Sequence, residues 1–331
     1  MAEGCVLLLT RRGDGEARAV SALLQRIGVP VRRLDADALA GRELGWGPEG
    51  ALTLDGRALA PTVTWLRHFS ARAAPAGPPG TTAAGRMALR DSWTALARQL
   101  ALASPAALGT VDPGGPAQWA RARAHGVRTP RGLVTTDPVA AAARLPADRY
   151  VVKPLDRHVV EPEPGQLAWF LPRILDRPDR EALPGLPPGT PVVLQEYVVH
   201  ETEYRVYLAG GELHAFEVTK ADPADLWARP ARVHVRHVPP PPAVAAAARA
   251  LGAAWGLRYG AFDFLWAAGE PVFLEVNAHG DWRWFERKAG VDVVTRAAAR
   301  TVRDLHWSAA GRRRPPTLLT FLGADPRGEP L

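Results

Sequence analysis

Four short stretches beyond residue 150 carry side chains suited to chemistry. Phe262-Asp263-Phe264 and Leu274-Glu275-Val276-Asn277 read as the two strands of a hairpin that turns at Ala268-Gly269. Glu275 and Asn277 are two apart, so on a strand they leave the same face, and Asp263 can reach that face from the partner strand. Oxygen ligands from Asp, Glu and Asn form a hard set that suits Mg²⁺ with bridging phosphates, and not zinc or copper. Carboxylates between apolar neighbours are costly to bury alone, and a cation offsets that cost. The plainer alternative is an exposed hairpin whose carboxylates are there by chance.

The other two stretches are less self-explanatory. Val151-Val152-Lys153-Pro154 ends a β-branched strand in a lysine, one of only three among 41 basic residues. Arginine with abundant Ala, Gly and Pro suggests a GC-rich genome, in which a surviving lysine stands out as a candidate for its ammonium chemistry. A phosphate contact is the functional reading of Lys153, and a solvated strand end is the plain one. Gln195-Glu196-Tyr197-Val198, followed by Glu203-Tyr204-Arg205, can offer backbone groups to an adenine and a carboxylate to a ribose. Surface charges alone would also explain that stretch.

The elements that must position these groups are legible. Cys5 to Leu9 reads as a buried strand, and Ala17 to Ile27 as a helix with Val20, Leu23, Leu24 and Ile27 on one face. Gly28 stops the helix before a strand from Val29 to Leu34, which makes a βαβ unit with a parallel pair. No G-x-G-x-x-G follows the first strand, so a dinucleotide site is disfavoured. A hairpin over residues 51–66, a loop from Ala74 to Gly80 and a helix from Ala83 to Leu102 follow. Asp112-Pro-Gly-Gly-Pro116 is a strong breaker and the preferred boundary. Beyond it, Ala117 to His125 and Asp137 to Ala143 read as helices, and Gly132 to Thr135, Tyr150 to Pro154 and Pro191 to Tyr197 as strands. A hairpin turns at Ala209-Gly210-Gly211. Helices from Val244 to Trp255 and from Asp292 to Leu305 complete the chain.

Composition narrows the function classes. Of 331 residues, 47% are hydrophobic and 23% charged, the balance of a globular protein. The single cysteine, Cys5, excludes a disulfide framework and a cysteine zinc site. No apolar run approaches the roughly 18 residues of a membrane span. Cys5 to Leu9 lacks a basic leader and a cleavage pattern, so a cytoplasmic protein is expected, with no membrane partner. The net charge of +7 comes from scattered arginines, with one short run at Arg312 to Arg314, so no nucleic-acid partner is expected. An acidic or phosphorylated ligand is compatible with it.

Lys153, the Gln195-Glu196-Tyr197 edge, Glu203, Arg205, Asp263 and the Glu275-x-Asn277 pair resemble the ATP-grasp ligases in order and spacing. More narrowly, several stretches are similar to the graspetide (microviridin-type) ribosomal peptide maturases. These are Val6-Leu-Leu-Leu-Thr10 with Gly28-Val29-Pro30 and Leu34-Asp35, and Pro130-Arg-Gly-Leu-Val-Thr-Thr-Asp137-Pro138. They also include Tyr259-Gly-Ala-Phe-Asp263-Phe and Phe273-Leu-Glu275-Val-Asn277-Ala-His-Gly280-Asp-Trp282-Arg-Trp284. The Gly-x-Trp-x-Trp ending after Glu-x-Asn is the most specific of them.

The resemblance implies an α/β (α+β) ATP-grasp fold in three parts. An N-terminal α/β pre-ATP-grasp domain would span 1–112, a central subdomain 113–200, and a C-terminal antiparallel-sheet subdomain with the Mg²⁺ hairpin 201–331. It implies ATP and Mg²⁺ as cofactors. Lys153 would hold phosphates, and Gln195, Glu196, Tyr197 and Val198 would border the adenine. Glu203 would contact the ribose, Arg205 would steady the γ-phosphate or acyl phosphate, and Asp263, Glu275 and Asn277 would hold Mg²⁺. Lys153 and Arg205 would thus be the catalytic pair. The implied activity is phosphorylation of an Asp or Glu side chain of a precursor peptide, then closure to a macrocyclic ester or amide. The precursor would carry a leader segment, acidic if it complements the basic surplus, and a homodimer is compatible. Two rivals stay open: a small-molecule carboxylate–amine ligase, and a degenerate ATP-grasp protein that only binds a peptide.

Overall fold

The computed structural model describes residues 2–47, 51–70, 77–111, 113–156, 158–160, 168–178, 183–220, 222 and 225–311. Ala74 to Ala76 of the loop, Asp112 of the breaker and the Arg312 to Arg314 run lie outside the described residues. The chain divides into two compact units. Unit 1 is Met1–Val111, Asp281–Trp284 and Asp292–Leu331, and unit 2 is Asp112–Gly280 and Phe285–Val291. Among the described residues no helix is long and apolar enough to cross a membrane.

Unit 1 contains β1 (Glu3–Thr10), α1 (Gly15–Arg26), β2 (Val31–Asp35), β3 (Leu44–Trp46), β4 (Leu52–Leu54), β5 (Arg57–Leu66), α2 (Ala83–Ala103) and β6 (Ala106–Leu108). The sheet runs β2-β1-β5-β4-β3, with β6 also paired to β5. β1 is parallel to both β2 and β5, whereas β3, β4 and β5 form antiparallel hairpins. A strand buried on both faces must be apolar throughout, and Cys5 to Leu9 is. Cys5, Leu7 and Leu9 pack with Leu34, Leu52, Leu59, Ala97 and Leu100 in the core under α2. Burial holds the Cys5 thiol up at about 11, so it stays a protonated, inert core group. Gly28, at φ +74°, supplies the left-handed residue that ends α1.

Unit 2 runs through α3 (Ala117–Ala124), β7 (Gly132–Thr135), α4 (Pro138–Ala142), β8 (Tyr150–Pro154), β9 (Val159–Val160), β10 (Ala168–Trp169), β11 (Arg173–Leu175) and β12 (Val192–Glu196). It continues with β13 (Thr202–Ala209), β14 (Glu212–Thr219), α5 (Asp225–Ala228), β15 (His234–Val238), α6 (Pro242–Ala254), β16 (Tyr259–Ala267), β17 (Glu270–Asn277) and, from Phe285 on, α7 (Arg283–Ala289). The last helix, α8 (Val293–Ala309), returns to unit 1, where it packs on α1 and β5.

Two antiparallel sheets make up most of unit 2, in the orders β11-β8-β12-β7 and β15-β14-β13-β16-β17. On the first, Tyr150, Val152, Val192 and Leu194 pack with Ala141 and Leu145, so alternation sends Val151, Lys153, Val193 and Gln195 to the other face. On the second, Val206, Phe262, Phe264, Phe273 and Val276 pack with Val244, Ala248 and Leu251 of α6. Phe273 and Glu275 are two apart and would share a face in a regular strand. A register shift between Asp263 and Phe264 sets an extra β17 residue against β16 and separates them. Phe273 therefore enters the core while Glu275 leaves it.

Candidate functional site

Register brings the charged groups together. Arg205 on β13 lies opposite Asp263 on β16, which lies opposite Glu275 on β17. Directly opposed residues share a face, so the three form a row across the sheet. Arg205 Nη1 donates to Asp263 Oδ2 at 2.5 Å, and Asn277 Nδ2 donates to Glu275 Oε1 at 3.1 Å. Lys153, from the four-stranded sheet, donates to Glu275 Oε2 at 2.9 Å. That bond joins the two sheets of unit 2 through the lysine the sequence singled out.

The two carboxylates have opposite acidities. The Lys153 ammonium, against burial, holds Glu275 down at about 2. Burial pushes Asp263 above the ordinary range, and the neighbouring Glu275 charge adds to this against the pull of Arg205. Burial also works against the Arg205 charge, and Asp263 more than restores it. Gly280 is the close approach that shapes this row, since a Cβ there would meet Ala261 Cβ at 2.5 Å and Arg205 Nη2 at 2.7 Å.

The donor set fits a hard divalent cation. Among the described residues no group of three or more His, Cys, Asp or Glu side chains could hold a metal. Two carboxylates and an amide oxygen are nevertheless enough for Mg²⁺, which keeps waters and takes remaining ligands from phosphates. Asp263, Glu275 and Asn277 would be its protein ligands.

The expected nucleotide residues divide by face. Gln195 leaves the Lys153 face and is 6% exposed, with Oε1 buried and without a hydrogen-bond partner. Glu196 lies opposite Tyr150 and so leaves the other face, where Arg131 donates to it from N at 2.9 Å and Nε at 2.7 Å. Tyr197 N donates to Arg149 O, and the Arg149 guanidinium lies 4.8 Å from the Tyr197 ring centre. Val198 packs on the cluster of Leu265, Ala267 and Val272 of the second sheet. Glu203 accepts from Lys220 Nζ at 2.6 Å and pairs with His200 Nε2 at 3.1 Å. Those two partners hold Glu203 below the usual carboxylate range in spite of burial. Thus Lys153, Arg205, Asp263, Glu275 and Asn277 share one site with Gln195 on its flank, whereas the Glu196 side chain points away.

Sequence reasoning noted Leu66-Arg67-His68 and the Gly280-Asp281-Trp282 run apart but did not join them into the second polar cluster that they form, in unit 1, at the carboxyl ends of β1 and β5. Arg67 is 1% exposed, donates from Nε to Asp14 Oδ2 at 3.0 Å, and pairs with Asp281. Its guanidinium stacks 4.6 Å from the Trp282 ring centre. Asp14 also caps α1, accepting from Ala17 N at 2.9 Å, and takes the Thr10 hydroxyl at 2.6 Å. His68 Nε2 lies 2.8 Å from Asp281 Oδ1, on a backbone at φ +51°. Burial would raise Asp281, but His68 and Arg67 hold it well below the ordinary range. The local signals were an arginine directly after an apolar strand and the Gly280-Asp-Trp282 run, neither of which points to the other.

No protein-family model matches the chain, and no curated protein matches its sequence. Solved structures do. The ATP-grasp ligase PsnB, complexed with a phosphomimetic variant of a minimal precursor, Mg and ADP, is 20% identical with a TM-score of 0.70, covering 92% of this chain and 100% of its own. The macrocyclase MdnC from Microcystis aeruginosa MRC, bound with precursor peptide MdnA, is 18% identical with a TM-score of 0.71, covering 91% and 99%. A RiPP-associated ATP-grasp ligase from Chryseobacterium gregarium, in complex with ADP and a leader and core peptide, is 16% identical with a TM-score of 0.66, covering 91% and 97%. The chain has the ATP-grasp fold.

Proposed function

We propose that this protein is an ATP-dependent ligase that activates Asp or Glu side chains of a ribosomal precursor peptide and closes macrocyclic esters or amides. In that reaction a peptide carboxylate takes the γ-phosphoryl group and ADP leaves. A hydroxyl or amine of the same peptide then attacks the acyl carbon, and phosphate leaves. The observation that carries the reading is the row Arg205–Asp263–Glu275 on one sheet face, with Lys153 reaching Glu275 from the other sheet, so that two cations and two carboxylates meet. Such a set neutralises and orients phosphates, which is most of what phosphoryl transfer requires of a protein. The fold shared with PsnB and MdnC supports the same reading.

The roles follow from the chemistry of each group. Lys153 draws phosphate oxygens in, and Arg205 steadies the γ-phosphoryl group and the acyl phosphate. Gln195, Glu196, Tyr197 and Val198 border the adenine, Glu196 through its main chain, and Glu203 takes the ribose. Asp263, Glu275 and Asn277 would hold Mg²⁺, which would supply positive charge to offset that of the phosphates. We keep the three-part division at 112 and 200, a cytoplasmic setting, and a precursor with an acidic leader that the net charge of +7 complements. A homodimer is the assembly to test first.

The experiment is ADP formation and loss of water from peptides rich in Thr and Glu or Asp encoded beside this gene. Glu275→Gln keeps size and removes one charge from the site. It should stay folded and lose at least roughly a hundredfold in rate, the scale of one electrostatic stabiliser. A near wild-type rate at saturating Mg²⁺ and ATP would remove Glu275 from the site and favour the non-catalytic or small-molecule reading.

A further inference from the structure

Glu275 and Asn277 lie on β17, the outermost strand of the five-stranded sheet. An edge strand leaves backbone groups off the ladder, and a bulge leaves more. Both conditions meet at Glu275. Asp263 pairs with Glu275 and Phe264 with Phe273, so Leu274 between them has no register partner on β16. Helix α3 takes up what is left over. Trp119 Nε1 donates to Leu274 O at 2.9 Å. Gln118 Nε2 donates to Val276 O at 3.1 Å, and Gln118 Oε1 accepts from Val276 N at 2.7 Å. The amide thus grips one residue by both backbone groups, as a neighbouring strand would, and only one orientation of the amide satisfies both bonds. Gln118 is 5% exposed, so the two bonds are shielded from water. The Trp119 ring is wedged as well, since a Cβ at Gly132 of β7 would lie 2.9 Å from it. The backbone is therefore held on both sides of Glu275, and Val276 is the residue between Glu275 and Asn277.

We propose that Gln118 is a positioning residue for the cation site. It acts through the backbone and not on the metal or the phosphates. By fixing Val276 it sets the directions in which Glu275 and Asn277 leave the strand, where the bulge has weakened the support from β16. Groups that orient metal ligands from behind are worth about ten- to a hundredfold in metal affinity. This inference rests on the ligase reading, in which those side chains hold Mg²⁺, and adds the residue that aims them.

The test is titration of the full chain, in the presence of ADP, with Mn²⁺ followed by electron paramagnetic resonance. Gln118→Met keeps the length of the side chain and loses both bonds. It should bind Mn²⁺ at least about tenfold more weakly than the wild type, with ADP affinity in the absence of metal unchanged. Raising Mg²⁺ should restore its rate of ADP formation, which a general loss of packing would not allow. Leu145→Ala, in the core of the four-stranded sheet, is the comparator that should lower the melting temperature and leave Mn²⁺ affinity as it is. Gln118→Glu keeps the bond from Val276 N and should fall between wild type and Gln118→Met. It carries the test alone if the methionine variant does not fold. Mn²⁺ affinity equal to wild type in the variants that fold overturns this inference alone. So does an equal loss in Leu145→Ala, or a rate that no concentration of Mg²⁺ restores. If the wild-type chain binds neither ADP nor Mn²⁺, the ligase reading falls and takes this inference with it.

Discussion

Asp263 and Glu275 face each other across two strands and yet respond to pH in opposite ways. Glu275 is the stronger acid when folded, near 2, so its pair with Lys153 favours the fold at neutral pH and is lost only as the pH falls toward that value. Asp263 is the weaker acid when folded, so it favours the fold when protonated. That contribution is full below the ordinary carboxylate value and is lost as the pH rises through its raised folded value. A divalent cation at these carboxylates should therefore stabilise more where Asp263 must ionise. We expect Mg²⁺ to raise the thermal midpoint clearly at about pH 7 and little at about pH 4, given an unperturbed aspartate near 3.9. Equal shifts at both values, measured by thermal unfolding with and without Mg²⁺, would take Asp263 out of the cation site. At this scale the sequence was informative where chemistry is local: Glu275-x-Asn277 shares a face by spacing alone, and Lys153 stood out by rarity. It was silent where chemistry is made by register. Nothing near Gln195 says that its oxygen is left without a donor, and nothing near Arg67 says that its second partner is Asp281, 214 residues away.

The site depends on how strands end and meet as much as on the residues they carry. β17 leads at Asn277 into a bend whose glycine, Gly280, lies against Arg205 and Ala261, with its carbonyl accepting from Tyr259 Oη at 2.5 Å. Gly280→Ala would insert a methyl group where no space exists. Overpacking of this kind costs roughly 1–3 kcal/mol, and the guanidinium of Arg205 is the most movable neighbour. The variant should melt at lower temperature and also lose ADP formation, because Arg205 would be pushed from Asp263. Gly47→Ala, with nothing within 4 Å, is the control. A Gly280→Ala protein with unchanged melting and activity would refute this account of the bend. Long periodic helices and glycine-turned hairpins were readable in advance, α1, α2, α6 and the β13–β14 and β16–β17 pairs among them. Short strands were not. β6 is Ala-Ala-Leu, indistinguishable from a helix end, and β15 is His-Val-Arg-His-Val, polar because it is an edge. The bulge in β17 was also hidden, since only pairing with β16 shows that Phe273 and Glu275 part company.

Across the whole chain, the surplus of positive charge is diffuse. If it attracts an acidic leader, precursor affinity should weaken several-fold between about 0.05 and 0.2 M salt, where the Debye length shortens from beyond 10 Å to below it. A precursor dissociation constant that does not move over that range would assign leader binding to apolar contacts instead. The fold class was legible in the first βαβ unit and the two later hairpins. The return of Asp281–Trp284 and α8 to unit 1 was not, because it is fixed by Trp282 and Asp281 closing over Arg67 and no local pattern encodes it. The distribution of lysine has a practical side. Lys153, Lys220 and Lys288 all belong to unit 2, and unit 1 has none. Apart from the α-amino group, an amine-reactive label or crosslinker therefore reports on unit 2 alone. Protection of Lys153 from such a reagent, followed by mass spectrometry, offers a direct footprint of whatever occupies the site, with unit 1 chemically silent in the background.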